Sequence, residues 1–314
     1  MKPLIPFVGR LPKAEAKSWQ QHLAALLPEA DIRLFSELTT SQYTQCQVAI
    51  VANPDPADLQ KLPSLRWVHS VWAGVERMML ELEHLPIDVV RLVDPNLAET
   101  MAEAVLAWTL YLHRDMPAYR QQQAARQWLQ RPYVKAGDRN IGILGLGHLG
   151  LVSANRLKAN GFNVAGWGRS PKVLPDLDYY YGKEGLQALL QRSDILVNLL
   201  PLTRETRGLL SAQEFALMKP GAALINFGRG ATINQQDLLA ALDNKGLSHA
   251  VLDVFEQEPL AEESPLWRHP ALTLLPHISA PTDPVSASRI VAQNIQRYLS
   301  TGEIPSTVDR KSGY

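Results

Sequence analysis

At 314 residues the chain exceeds what one hydrophobic core commonly serves, so two domains of ordinary size are expected. Its 31 Lys and Arg balance 31 Asp and Glu, which leaves no net charge to draw it to nucleic acid or an anionic membrane. Cys46 is the single cysteine, which excludes an intrachain disulfide, and no stretch approaches the roughly 18 uncharged apolar residues of a membrane span.

Pro3 and Pro6 interrupt a short apolar run at the start, which is too brief for a signal peptide; a soluble cytoplasmic protein is the expectation. Residues 4–8, 32–35, 48–52, 67–71 and 89–93 are expected as short buried strands. Between the first two, residues 14–27 carry apolar side chains on a helical period and stop at Pro28. Such alternation argues for a parallel sheet covered by helices. From Leu97 the pattern changes: Leu97, Met101, Ala104, Trp108 and Leu112 mark a long helix at a domain boundary. Strands are then expected at 140–144, 163–167, 195–200, 222–227, 250–254 and 272–275, with a helix at 235–242 ending near Gly246. A last helix, 285–299, follows Pro281-Thr282-Asp283-Pro284 and stops at Gly302. It could cover the second sheet or return to the first domain; spacing alone does not choose.

The strand at 140–144 runs into Gly145-Leu146-Gly147-His148-Leu149-Gly150, and a helical pattern opens behind it. The first glycine permits a tight turn, the second lets main chain approach a diphosphate, and the third allows close helix–strand packing. Orphan N–H groups at the helix start then face the negative charge. With a strand before, a helix after and a second strand at 163–167, this is a dinucleotide site. An NAD site usually ends that second strand with an acid for the ribose 2′-hydroxyl. Here Gly168-Arg169-Ser170-Pro171-Lys172 stands instead, so Arg169, Ser170 and Lys172 are expected to meet a 2′-phosphate, with NADP(H) preferred over NAD(H).

Three strand ends carry chemistry, because ligands of open α/β sheets bind at the carboxyl ends of strands. Arg229 in Asn226-Phe227-Gly228-Arg229-Gly230 can clamp a carboxylate with two parallel N–H bonds; a solvated loop arginine is the plain alternative. Asp253, Glu256 and Glu258 follow another strand, where a wet acidic loop is the plain reading. His277 follows a third, after Pro276, against the alternative of a structural histidine. Together an arginine, an acid and a histidine beside a dinucleotide site match hydride transfer to a keto acid: the arginine holds the carboxylate, the histidine protonates the carbonyl oxygen, and the acid keeps the histidine charged. His69 is the runner-up acid; His113, His148 and His269 fit less well. No Cys/His cluster suggests a metal.

The chain resembles the D-2-hydroxyacid dehydrogenase family, most closely its glyoxylate/hydroxypyruvate reductase A branch. The resemblance is carried in order by residues 73–76 (AGVE), 145–150 (GLGHLG), 198–203 (NLLPLT), 226–230 (NFGRG), 253–260 (DVFEQEPL) and 276–278 (PHI). It implies two Rossmann-like or flavodoxin-like α/β domains with parallel sheets and an active site in the cleft between them. Residues 1–100 and 282–314 would form a discontinuous substrate-binding domain, to which the last helix returns, and 101–281 the dinucleotide-binding domain. Arg229, Glu258 and His277 match the family's catalytic positions. Trp72, Ala73, Gly74 and Val75 match the loop that receives the substrate carboxylate. Leu200, Pro201, Thr206, Phe227, Gly228 and Asp253 fall where the family contacts the nicotinamide half. A homodimer through the region 97–126 is implied, with a small 2-keto acid as substrate and no nucleic-acid or membrane partner.

Two departures stand out. Trp72 replaces a common glycine, which predicts a bulkier pocket wall and a small substrate. Gly228 replaces a common alanine, an exchange expected to be tolerated because both are small. An NAD-linked dehydrogenase of another branch, or a dinucleotide-sensing binding protein like the C-terminal-binding corepressors, are the competing readings.

Overall fold

The computed structural model describes residues 2–310, which divide into two compact units. The first unit comprises Met1–Asn96 and Thr282–Tyr314, and the second Leu97–Pro281.

In the first unit, strands β1 (Leu4–Gly9), β2 (Asp31–Leu34), β3 (Val48–Ala52), β4 (Trp67–Ser70) and β5 (Asp88–Val90) form a parallel sheet in the order β2-β1-β3-β4-β5. Helices α1 (Lys13–Leu26), α2 (Pro56–Gln60) and α3 (Glu76–Glu81) connect them. Every residue of β3 is buried, as a central strand covered on both faces requires.

The second unit opens with α4 (Pro95–His113) and α5 (Met116–Ala124), separated at Asp115, whose φ of 54° breaks the helical run. Then follow β6 (Asn140–Leu144), α6 (His148–Ala159), β7 (Asn163–Gly168), β8 (Asp178–Tyr181), α7 (Gly182–Arg192), β9 (Ile195–Asn198), α8 (Ala212–Leu217), β10 (Ala222–Asn226), α9 (Gln235–Asp243), β11 (Leu247–Leu252) and β12 (Leu272–Leu274). The parallel sheet runs β12-β11-β10-β9-β6-β7-β8. Strand order reverses between β6 and β9, which is where an open sheet of this kind leaves a crevice at its carboxyl edge. Every expected strand is present, though that at 89–93 ends at Val90 and that at 195–200 ends at Asn198, where the Asn198 side chain takes the amide of Leu200 and turns the chain. Strand β8 was not expected: its sequence DYYY has no fully buried position and lies at the sheet edge, so it lacks the core-facing alternation that marks a strand.

Helix α10 (Pro284–Thr301) packs on the first unit, which decides what its spacing left open. Asp283 caps its start by accepting from the amides of Val285 and Ser286, and Gly302 ends it at φ 75°. Its buried stripe of Ala287, Val291, Ile295 and Tyr298 joins the core of Ile5, Trp19, Leu23 and Trp67, with Tyr298 edge-on to Trp67 at 5.1 Å. Each large apolar side chain so buried contributes about 1.5–3 kcal/mol. Among the described residues no helix is long and apolar enough to cross a membrane.

Candidate active site

Gly145 and Gly150 have the structural roles expected of them. Gly145 sits at φ 94°, and its amide donates to the Trp167 carbonyl at 2.9 Å, anchoring the turn to β7. A Cβ on Gly150 would run into the Gly145 carbonyl oxygen, so only glycine lets α6 approach the strand this closely. Gly147 differs: no heavy atom lies within 4 Å of where its Cβ would stand. The protein's own packing does not require glycine there, whereas a ligand passing over the main chain does. No side chain caps the start of α6, so its first amides remain suited to an anion. Leu146 is buried, Leu149 partly so, and His148 is exposed. These residues fit the diphosphate of a dinucleotide.

The basic turn after β7 lies against this loop. Lys172 Nζ donates to the Leu146 carbonyl at 3.2 Å, and the Tyr179 hydroxyl donates to the Ser170 carbonyl at 2.7 Å. Arg169 Nη1 stands 3.5 Å from Glu205 Oε2, an exposed pair of the kind that contributes little.

At the sheet's carboxyl edge, one aspartate organises the rest. Asp253, 2 % exposed at the end of β11, accepts from the amides of Ile278 at 2.7 Å and Ser279 at 2.9 Å through its two carboxylate oxygens. Its main-chain carbonyl accepts from the His277 amide at 3.0 Å. These bonds hold His277 at φ 55°, a left-handed conformation that costs a side-chain-bearing residue about 1–2 kcal/mol. Hydrogen bonds to a charged group contribute about 1.5–3 kcal/mol each, so the carboxylate offsets that strain. The imidazole is thereby delivered to Glu258: Nδ1 lies 2.7 Å from Oε2. Glu258 is itself fixed, since its Oε1 accepts from the Phe255 amide at 2.8 Å.

The two groups shift each other's acidity. The Glu258 hydrogen bond raises the His277 pKa above the ordinary histidine value, against desolvation and the charge of Arg229. Burial alone would raise the Glu258 carboxyl. The His277 bond, the Phe255 amide and the charges of His277 and Arg229 outweigh that and bring it below its ordinary value. An ionised carboxylate only accepts, so Nδ1 carries its proton toward Glu258, and Nε2 is left to hold or release the other. Arg229 follows β10, its Nη1 donating to the Gly228 carbonyl at 2.8 Å.

The remaining histidines separate from this group. His69 is fully buried in β4, bonded to the Ser70 carbonyl and to Asn294 of α10, and burial drives its pKa down to about 4. It is a core residue and not an acid facing substrate. His249 is likewise pushed by burial to about 4, and His113 is lowered.

Of the expected nicotinamide contacts, Leu200 and Phe227 are buried, and the Thr206 hydroxyl donates to the Pro201 carbonyl at 2.6 Å, bracing that turn. In the first unit the Trp72 indole lies edge-on to Trp19 at 5.9 Å and packs on the core, with Nε1 buried. The bulk expected at a pocket wall therefore lies largely in the core. Val75 is buried, and Ala73 and Gly74 are partly exposed beside it. Asn198, Asn226 and Thr232 are buried, with Asn198 bonded to both of the others. A polar residue closing an apolar strand marks Asn198 and Asn226 in the sequence, while nothing local marks Thr232.

The profile of the family described as D-isomer specific 2-hydroxyacid dehydrogenase, NAD binding domain, matches residues 106–279. The chain is 36% identical to glyoxylate/hydroxypyruvate reductase A of Serratia proteamaculans over 310 residues, covering 96% of this chain and 98% of that protein. It is similar to the crystal structure of a D-isomer specific 2-hydroxyacid dehydrogenase from Xanthobacter autotrophicus Py2 in complex with NADPH and MES, with a TM-score of 0.91, 32% identity and full coverage of both chains. An NADPH-dependent glyoxylate/hydroxypyruvate reductase from Sinorhizobium meliloti, in complex with NADP and sulfate, matches with a TM-score of 0.90, 32% identity and full coverage of both. The fold and site thus define a dinucleotide-dependent oxidoreductase. The chain belongs to the D-isomer specific 2-hydroxyacid dehydrogenase family.

The exchange of alanine for glycine at 228 does not run equally well in reverse. A Cβ there would stand 2.6 Å from the Leu200 carbonyl oxygen and 2.9 Å from its amide nitrogen, both main-chain atoms, so alanine is not an innocuous exchange here. Gly228→Ala must push the 226–230 loop and the 199–200 turn apart. Misplacement near the reacting groups lowers rates steeply, so kcat/KM for 2-oxo acid reduction should fall by about tenfold or more. Steady-state kinetics of this variant check the point; wild-type values would show that the two loops yield without consequence.

Proposed function

We propose that this enzyme uses NADPH to reduce small 2-oxo acids, glyoxylate and hydroxypyruvate foremost, to D-2-hydroxy acids. The observation that carries the proposal is the His277–Glu258 pair at 2.7 Å, on the sheet that bears the dinucleotide loop. When bound, the cofactor would supply the hydride that the substrate's carbonyl carbon takes. His277 gives its Nε2 proton to the carbonyl oxygen, so the oxo acid becomes a hydroxy acid. Glu258 keeps the imidazole protonated before transfer. The planar fork of Arg229 takes the substrate carboxylate bidentately, together with main-chain groups of Trp72, Ala73, Gly74 and Val75. Leu200, Pro201, Thr206, Phe227, Gly228 and Asp253 line the nicotinamide half. Arg169, Ser170 and Lys172 hold the 2′-phosphate beside the glycine loop, a placement supported by the Lys172–Leu146 bond.

The same proposal includes a homodimer through the region 97–126, where Leu110, Met116 and Tyr119 are exposed. Trp128 is 96% exposed, and Leu129 and Tyr133 are exposed with it, in the segment that follows α5. Exposed apolar side chains gathered in one segment suit a partner surface.

The test is to follow NADPH and NADH oxidation separately against glyoxylate, hydroxypyruvate, pyruvate and a bulky 2-oxo acid. Each charge-assisted contact to the 2′-phosphate contributes about 1.5–3 kcal/mol, so NADPH should lead by at least about tenfold in kcat/KM. Arg169→Ala should raise the KM for NADPH and leave that for NADH nearly unchanged. Equal kcat/KM with both cofactors in the unmodified enzyme would contradict the assignment of the basic turn.

The pH dependence has a definite sign. Reduction needs the imidazolium, and Glu258 raises the His277 pKa, so the rate is sustained below that raised value and falls as pH climbs through it. His277→Ala should lose about 10²–10⁴-fold in kcat, the scale of general acid catalysis. A near-normal kcat for His277→Ala across pH 5–9 would sink the proton-donor role.

A further inference from the structure

We propose that Asn198, Asn226 and Thr232 act as positioning residues: a buried hydrogen-bonded unit that sets the Arg229 main chain and ties it to the turn at Leu200. The inference rests on the proposed role of Arg229 as the carboxylate clamp. Asn198 closes β9 and Asn226 closes the neighbouring β10, in register with each other. Thr232 arrives from the short turn Gly230–Thr232. Their exposures are 0%, 1% and 0%.

The connections leave no side-chain polar atom of the three without a partner. Asn198 Nδ2 donates to Asn226 Oδ1 at 2.9 Å and to Thr232 Oγ1 at 2.7 Å. The Thr232 hydroxyl, having accepted that bond, donates its own proton to the Arg229 carbonyl at 2.6 Å. Asn226 Nδ2 donates to the same carbonyl at 3.2 Å, while its Oδ1 also accepts from the Gly228 amide at 3.3 Å. Asn198 Oδ1 accepts from the Leu200 amide at 3.2 Å.

Two side-chain donors and the Thr232 amide, at 3.3 Å, converge on one carbonyl and fix the peptide that leaves Arg229, and the bond to the Gly228 amide holds the loop on the other side of the residue. The direction in which the guanidinium departs is therefore set by groups that never touch substrate. At its other end the unit fixes Leu200, in the turn assigned to the nicotinamide half. One buried body thus sets the position of the carboxylate clamp relative to the hydride donor. An unpaired polar group at such burial is costly, so cutting one bond makes the loops rearrange rather than tolerate the gap.

Thr232 offers the sharpest test, because packing and hydrogen bonding can be changed separately. Thr232→Val keeps the volume and removes the hydroxyl; Thr232→Ser keeps the hydroxyl and removes a methyl. Thr232→Val should retain its melting transition and bind NADPH, measured by fluorescence titration, within a few-fold of wild type. Its kcat/KM for glyoxylate should fall by about 10- to 100-fold, the scale of an ångström's misplacement. Thr232→Ser should restore most of the loss. Thr232→Ala, which removes the hydroxyl without setting a methyl in its place, carries the same expectation if the valine variant does not fold. Adding Thr232→Val to Arg229→Ala should change kcat/KM little further, because the group it positions is already gone.

A valine variant with wild-type kcat/KM, a serine variant as damaged as the valine one, or an undiminished valine effect in the Arg229→Ala background would each overturn this inference. In all three cases a severe Arg229→Ala loss leaves the role of Arg229 itself standing. An Arg229→Ala variant with wild-type kcat/KM would remove both.

Discussion

The chemistry of the second unit hangs on the Asp253 carboxylate. Buried at the end of β11, it gathers the amides of Ile278 and Ser279, while its main-chain carbonyl takes the amide of His277. Those bonds stabilise a backbone conformation that a histidine would not adopt unaided. They also aim the ring at Glu258. A site whose acid sits on a strained residue needs surroundings that over-determine it, and here a single side chain supplies most of them. The aspartate's fixed charge adds to the effect by favouring the protonated imidazole.

Parallel-sheet topology places the other parts near this group. Arg229, Glu258 and His277 follow β10, β11 and β12, three successive neighbours in the sheet, and the glycine loop follows β6 at the point where strand order reverses. Each loop is then braced by hydrogen bonds of its own. Thr206 braces the Pro201 turn, the Asn198–Asn226–Thr232 unit braces Arg229, and the Phe255 amide braces Glu258.

Much of this was legible in the amino-acid sequence, and the parts that were not share a physical reason. The βα rhythm, the glycine spacing and the strand-end positions of Arg229, Glu258 and His277 are local patterns, and local patterns survive in one dimension. The destination of α10 was not local: its apolar stripe fits any sheet, and only the family resemblance pointed it to the first unit, where Trp67 and His69 meet Tyr298 and Asn294. Trp72 illustrates the same limit, since its partner Trp19 lies far off in the chain and decides where the indole lies. The intolerance of Gly228 to a Cβ is invisible without the Leu200 main chain beside it. Strand β8 escaped because an edge strand need not bury either face.

The proposed chemistry needs Glu258 to hold His277 in its protonated form. The most direct measurement is an NMR titration of the His277 imidazole in the wild-type enzyme and in Glu258→Gln, which keeps the shape and removes the charge. The expected result is a wild-type pKa above the ordinary histidine value of about 6.5 and a clear fall in the glutamine variant. A wild-type value at or below the ordinary one, or no change on substitution, would contradict it.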